Sequence, residues 1–260
     1  MASRGPTQAC LTILARSRGV VLPGGLQETG CGAVMRPGQK MQRIRRRMVL
    51  ACGLVTAAMG RAPGLPAVPA RDSLTFCIIR RGGRIGTHTV AFTKLPGDGL
   101  DVHIAVNVLV KLGPIPLVRY AHHGLESWRA GRLAGVQTHT DRNGTDLQMR
   151  AWRTKPGLEV EGTDTTPYVA PPDALPTTYW NPRMLDGPMI GTQKGTLVTP
   201  KVTEIGAERI PLANGRVVAT HHYAIRGKDM DVDVYYDFDR VWAGMSFTVE
   251  DGSLITYQRL

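Results

Sequence analysis

The sequence predicts an all-β fold: an antiparallel meander of about ten strands forming a strongly curved sheet or a closed barrel, with a Pro-rich flap in its middle. Three observations predict it. Apolar and polar residues alternate with period two, as where Leu100, Val102, Ile104, Val106, Val108 and Val110 oppose Asp101, His103, Asn107 and Lys111. The same alternation runs through Met230–Phe238 and again through Val241–Glu250, where Val241, Ala243, Met245, Phe247 and Val249 form the apolar set and Trp242 falls on the wet one. Turn signals such as Arg81-Gly82-Gly83, Pro96-Gly97-Asp98-Gly99, Asn143-Gly144 and Asp251-Gly252 recur at intervals that leave room for one strand or two short ones between them. No stretch carries a helical period with caps. A meander of that length has two edges to protect, and curling or closing disposes of them, so a barrel is preferred over a two-sheet sandwich.

The interruption is Thr163–Pro188, which holds Pro167, Pro171, Pro172, Pro176, Pro182 and Pro188 among the aromatics Tyr168, Tyr179 and Trp180. It reads as a long loop with a short helix near Pro171–Leu175. Its aromatics argue for a flap packed across the sheet and against a disordered linker.

The chain divides at Ala70. Residues 1–70 hold ten basic residues against the single acid Glu28, whereas residues 71–260 hold twenty-two against twenty. The formal +11 therefore belongs to the N-terminal segment, and the nearly neutral remainder excludes nucleic acid as a partner. Met41–Arg47 is a basic stretch, Met48–Gly60 an apolar run too short to span a bilayer, and Val68-Pro69-Ala70 a small-residue cleavage site. This is the layout of a signal peptide over residues 41–70, cleaved near Ala70, behind an upstream extension over residues 1–40. The expected location is the periplasm. A lipoprotein box at Val49–Cys52 lacks a preceding apolar run, and a twin-Arg signal at Arg46-Arg47 has Arg45 before it and no Lys after it. Residues 71–260 then form one domain with no transmembrane segment and one cysteine, Cys77, in the apolar run Leu74–Ile79, where a buried inert thiol is expected.

One dense polar–aromatic cluster stands out, Tyr120 to Trp128. On a strand, Tyr120, His122, Glu126 and Trp128 share a face and His123 points the other way. His122 and Glu126 are then about 13 Å apart, too far to act as a catalytic dyad. The four are candidates to line a ligand cavity, joined by Tyr179, Trp180 and Asn181 from the end of the flap and by Gln193 beyond it. A polar network that satisfies groups inside the core is the competing reading. His88 shares a face with Val90 and Phe92 and, with His122, is a weak metal candidate, although no metal-ligand spacing occurs. His103 sits on the wet face. No Walker loop, G-x-S-x-G elbow or C-x-x-C pair is present, and no cofactor is implied.

The motifs Arg81 to Val90 (R-x-G-x-I-G-T-H-T-V) and Tyr120 to Leu133 (Y-A-H-H-x-x-E-S-W-R-x-G-R-L) carry a resemblance. It is supported by Tyr179-Trp180-Asn181, Gly191–Gly195 and Asp251–Tyr257. The chain from Phe76 onward resembles an uncharacterised proteobacterial family of secreted proteins known only as a domain of unknown function. The resemblance implies an all-β exported protein and brings no activity with it. The arrangement also looks like cavity-bearing periplasmic proteins that carry lipids, a likeness of fold alone. The expected function is a binding or carrier module for an apolar or amphipathic molecule, such as a lipid, held in a sizeable cavity beneath the flap. An envelope protein that pairs with a protein partner through a sheet edge is the alternative, and a His/Glu-dependent enzyme the less favoured one.

Overall fold

The computed structural model describes residues 72–112, 114–228 and 230–260, so the expected signal peptide and upstream extension lie outside the described residues. Eight strands come first: β1 (Ser73–Arg80), β2 (Gly83–Leu95), β3 (Gly99–Leu112), β4 (Ile115–Arg129), β5 (Arg132–Arg142), β6 (Thr145–Arg153), β7 (Leu158–Gly162) and β8 (Thr165–Ala170). The flap follows, with the two-residue strands β9 (Leu175–Pro176), β10 (Met189–Ile190) and β11 (Leu197–Val198) and a 3-10 turn over Pro182–Asp186. Five strands complete the chain: β12 (Lys201–Pro211), β13 (Val217–Gly227), β14 (Met230–Asp237), β15 (Trp242–Thr248) and β16 (Leu254–Arg259).

Thirteen of these strands form one antiparallel sheet in the order β12-β13-β14-β15-β16-β1-β2-β3-β4-β5-β6-β7-β8. Every neighbour is a hairpin partner except β16 and β1, which join the last strand to the first through pairs such as Ile78 with Tyr257. That one long-range ladder sends the middle of the sequence to both ends of the sheet. The sheet is consequently open, with β8 and β12 as its two ends, and is neither the closed barrel nor the strongly curved sheet that the sequence predicts. The chain between those two ends is the flap, which forms a separate small sheet in the order β11-β10-β9.

The edges are managed without closure. β8 is six residues long, contains Pro167, and is tied down by the flap: Thr165 Oγ1 donates to the Lys194 carbonyl at 2.6 Å and Tyr168 OH to the Gly195 carbonyl at 2.7 Å. β12 carries Lys201, Glu204, Glu208 and Arg209, and a register shift between Glu204 and Gly206 leaves Ile205 out of the ladder. Gly206 takes a φ of 127°, open to glycine. A short proline-bearing strand and a charged, bulged one are both poor templates for further pairing.

The predicted alternation holds in β3 and β14. Leu100, Val102, Ile104, Val106 and Val108 are buried, as are Met230, Val232, Val234 and Tyr236, while Phe238 is left exposed in the turn after β14. In β15 it holds at Ala243, Met245 and Phe247 and fails at Trp242, for a local reason. The ladder with β14 passes from Tyr235–Gly244 to Tyr236–Trp242, so an extra residue shifts the pleat and turns Trp242 inward, where it is fully buried. Strict alternation cannot foresee a bulge, and a one-residue slip reverses every side chain before it. The flap differs as well: Thr165–Ala170 is strand, and the single short helical turn lies at Pro182–Asp186, beyond the expected Pro171–Leu175. Cys77 is free and buried, as expected.

Flap residues Ala174, Leu175, Tyr179, Trp180, Met184, Met189 and Ile190 belong to the same buried cluster as the inner faces of the sheet strands. The flap therefore supplies the second layer that the sheet's apolar face needs. It also approaches β7 closely, since a Cβ on Gly162 would stand 1.9 Å from the Lys194 carbonyl oxygen. Gly162→Ala is expected to destabilise the fold by about 1–3 kcal/mol through overpacking and to speed amide exchange across residues 191–196. Unchanged exchange there would show that this approach does not hold the flap.

Candidate functional site

The inner face of β4 places Tyr120, His122, Glu126 and Trp128 in the core, each no more than 2% exposed. Glu126 is the centre of the arrangement. Its Oε2 accepts from Trp128 Nε1 at 2.8 Å and from Trp180 Nε1 at 3.0 Å, and its Oε1 meets Thr178 Oγ1 at 2.6 Å. Trp128 comes from its own strand, whereas Thr178 and Trp180 come from the flap. The two indoles pack edge-on at 5.5 Å, and Phe92 of β2 packs edge-on to Trp180 at 5.3 Å. One carboxyl thus fastens the flap to the sheet.

Burial pushes the Glu126 carboxyl up to about 7, against the lowering effect of its three hydrogen bonds. The geometry serves both protonation states. The indole N–H groups can only donate and both meet Oε2, while the Thr178 hydroxyl can donate to a carboxylate or accept from a protonated Oε1.

The other predicted residues do not converge on this point. His122 Nδ1 pairs with Thr140 Oγ1 at 2.8 Å and its ring stacks on Tyr120 at 6.2 Å. His122 and Glu126 have separate partners, as their spacing implied. Tyr179, held at a φ of 65°, receives the Tyr236 hydroxyl on its carbonyl at 2.7 Å and stands 5.8 Å from Trp242. Asn181 caps the 3-10 turn by accepting from Arg183 N at 3.1 Å. Gln193 is buried and its Nε2 has no hydrogen-bond partner among the described residues. His88 lies among Trp242, Tyr257 and Phe76 at 5.0, 5.8 and 6.1 Å, with no hydrogen bond from the described residues to either ring nitrogen. Burial, and secondarily His122, lowers His88 to about 3. Burial, then His123 and His139, lowers His122 to about 4. Among the described residues no group of three or more His, Cys, Asp or Glu is placed to hold a metal ion.

These side chains fill the core. The sizeable cavity expected beneath the flap is occupied by the flap's own Trp180, Tyr179 and Met184, each nearly inaccessible. The volume lies elsewhere. On the outer face, a groove of about 750 Å3 runs across β3 to β7 and is lined by His103, His123, Gln137, His139, Arg150 and Glu161 among others. Register brings these together: His123 stands opposite His139, His139 opposite Gln148, Gln137 opposite Arg150, and Arg150 opposite Glu161. Arg150 Nε donates to Glu161 Oε2 at 2.6 Å and its guanidinium lies 5.3 Å from the centre of the Trp152 ring. His139 Nε2 is 2.5 Å from Asp146 Oδ1. Sequence reasoning left these histidines apart. The outward direction of His123 and the wet-face placement of His103 were legible, but the convergence of these two with His139 depends on register across three strands.

Comparison with known proteins fixes the family and the fold class. A family model described as a domain of unknown function, DUF6134, matches residues 76–260. No curated protein matches the chain. Among solved structures, a β-barrel-like protein of the domain of unknown function DUF1849 from Brucella abortus is similar at a TM-score of 0.50 and 9% identity. That likeness covers 72% of this chain and 94% of the other, and concerns the fold alone. That protein is described as barrel-like, whereas the thirteen-stranded sheet here has two ends.

The buried groups set the pH profile. Glu126, raised in the fold, contributes stability that is complete below about 4.5 and lost as pH rises through about 7. His88 and His122, depressed in the fold, contribute stability present above about 6.5 and lost as pH falls toward 4 and 3. Denaturant titrations are expected to show maximal stability near pH 6.5, with an alkaline limb of only about 1 kcal/mol, because most of the Glu126 contribution is lost between about 4.5 and 6.5, where the gain from the two histidines outweighs it. Glu126→Gln, whose amide donates to Thr178 and whose carbonyl accepts both indoles, should abolish that limb. Glu126→Ala orphans three buried donors and should cost about 3–5 kcal/mol at pH 6.5. A Glu126→Gln profile that keeps the alkaline limb would contradict the assignment.

Proposed function

The chain belongs to the DUF6134 family, and we propose that it is an exported, non-catalytic binding module of the cell envelope whose small-molecule ligand lies in the outer-face groove. The groove itself supports this reading. Its volume falls within the range of small-molecule sites, and its polar groups converge from five adjacent strands of a rigid sheet. Imidazoles, amides and a guanidinium favour a ligand rich in oxygen acceptors, while Leu125 and Trp152 offer apolar surface beside them. An amphipathic molecule with a hydroxylated or carboxylated head meets both requirements. The inner face has no room for cargo while the flap is docked, so the binding role expected from the sequence moves to the other side of the sheet. The polar groups named around Glu126 and His122 serve the core, and an enzyme built on them has no open cleft to work in.

Native mass spectrometry of the protein isolated from the envelope of its own host tests this. A bound small molecule is expected, and Gln137→Ala with Arg150→Ala should reduce its occupancy about tenfold or more while leaving the pH–stability profile in place. A bare polypeptide in both cases, or a ligand that the two substitutions do not affect, would overturn the reading.

A further inference from the structure

The two longest strands, β3 and β4, end in an apolar tip. Leu109, Ile115 and Leu117 are 44, 60 and 48% exposed, and Pro114 and Pro116 beside them are exposed as well. Three large aliphatic side chains held out together at the end of one hairpin cost free energy in water and are not the scattered exposure common to soluble surfaces.

The surroundings of the tip are basic. Lys111 and Arg119 belong to the hairpin itself, with Arg119 opposite Leu109 and Lys111 opposite Pro116. On the neighbouring strands, Arg142 stands opposite Tyr120, and Arg84, the second residue of β2, lies two residues before Gly86, which stands opposite Val108. Among the described residues none of these four cations is in an ion pair. Of the acids on the neighbouring strands and turns, three have partners of their own, with Asp146 against His139. Asp251 holds Arg80 and Arg81, and Asp141 Oδ1 accepts from Gly144 N at 2.7 Å. At the base of the tip a hollow of about 560 Å3 is lined by Asn107, Lys111, Arg119 and Tyr120 together with Leu109 and Pro116. Exposed aliphatic side chains, cations outside the ion pairs level with them on the same hairpin and at the ends of the adjoining strands, and a polar hollow beside them match the chemistry of an anionic lipid surface, in which acyl chains lie beneath phosphates.

We propose that the β3–β4 tip docks the protein on an anionic lipid surface, with Leu109, Ile115 and Leu117 entering the acyl boundary and Lys111 and Arg119 meeting lipid phosphates. The contact is peripheral and reversible, because three aliphatic side chains and four cations make a weak anchor. It is independent of the outer-face groove, which lies farther along the same strands.

Vesicle flotation of the full chain tests it, using phosphatidylglycerol–phosphatidylethanolamine vesicles against phosphatidylcholine vesicles. Binding to the anionic vesicles is expected, weakening with salt. Because residues 1–70 are themselves basic, the decisive comparison is between variants that share them. Ile115→Asp with Leu117→Asp should lower the partition coefficient about tenfold or more, and Lys111→Gln or Arg119→Gln about fivefold each. Ile115→Trp should show a blue-shifted emission quenched by brominated acyl chains only on the anionic vesicles. These positions are exposed, so the variants should keep the parent's thermal transition. Binding that ignores the tip substitutions would overturn the proposal. So would a tip-dependent dimer in ultracentrifugation without vesicle binding, which would make the tip a protein contact.

Discussion

The fold depends on a carboxyl group buried where water cannot reach it. Glu126 collects two indole N–H groups and a hydroxyl, and two of those three donors belong to a segment otherwise remote from β4 in sequence. Without such a bridge the flap would meet the sheet through apolar contact alone, which is strong but indifferent to register. The bridge fixes which flap residues face which strands, and the rest follows. Trp180 packs on Trp128 and Phe92, the carbonyl of the adjacent Tyr179 takes the Tyr236 hydroxyl, and Thr138 Oγ1 donates to the Thr192 carbonyl.

That flap is also why the sheet can stay open. Pairing β16 with β1 puts β8 and β12 at opposite ends, so the chain between them must travel from one end to the other. A closed barrel would join β8 to β12, which this strand order does not do. Here the segment covers the apolar face, and the edges are guarded by Pro167, by hydrogen bonds from β8 to the flap, and by the charges and bulge of β12. The inner face becomes a core, and hollows of about 750 and 560 Å3 lie on the outer face and at the base of the hairpin tip.

Much of this was legible in the sequence. The strand positions followed from alternation and turns, and Tyr120, His122, Glu126 and Trp128 do share one buried face. Tyr179 and Trp180 do pack across the sheet, as aromatics in a Pro-rich stretch suggested. What could not be read was set by long-range pairing. The order of strands depends on β16 meeting β1, and no local signal announces a ladder between residues so distant in the chain. The inward turn of Trp242 depends on one bulge, and the meeting of His103, His123 and His139 depends on register across three strands. The expectation of a cavity failed because side-chain volume in the flap matched the space beneath it, a quantity that pattern does not encode.

The most direct test of the latch is NMR of the Trp128 and Trp180 indole protons. Both should be strongly protected from exchange at neutral pH, and both should shift together through a single titration centred near pH 7, the value to which burial raises Glu126. The Trp242 indole, which donates to the Gly244 carbonyl instead, should stay still. Rapid exchange of the Trp180 proton, or two indoles that ignore the titration, would mean that Glu126 does not hold the flap.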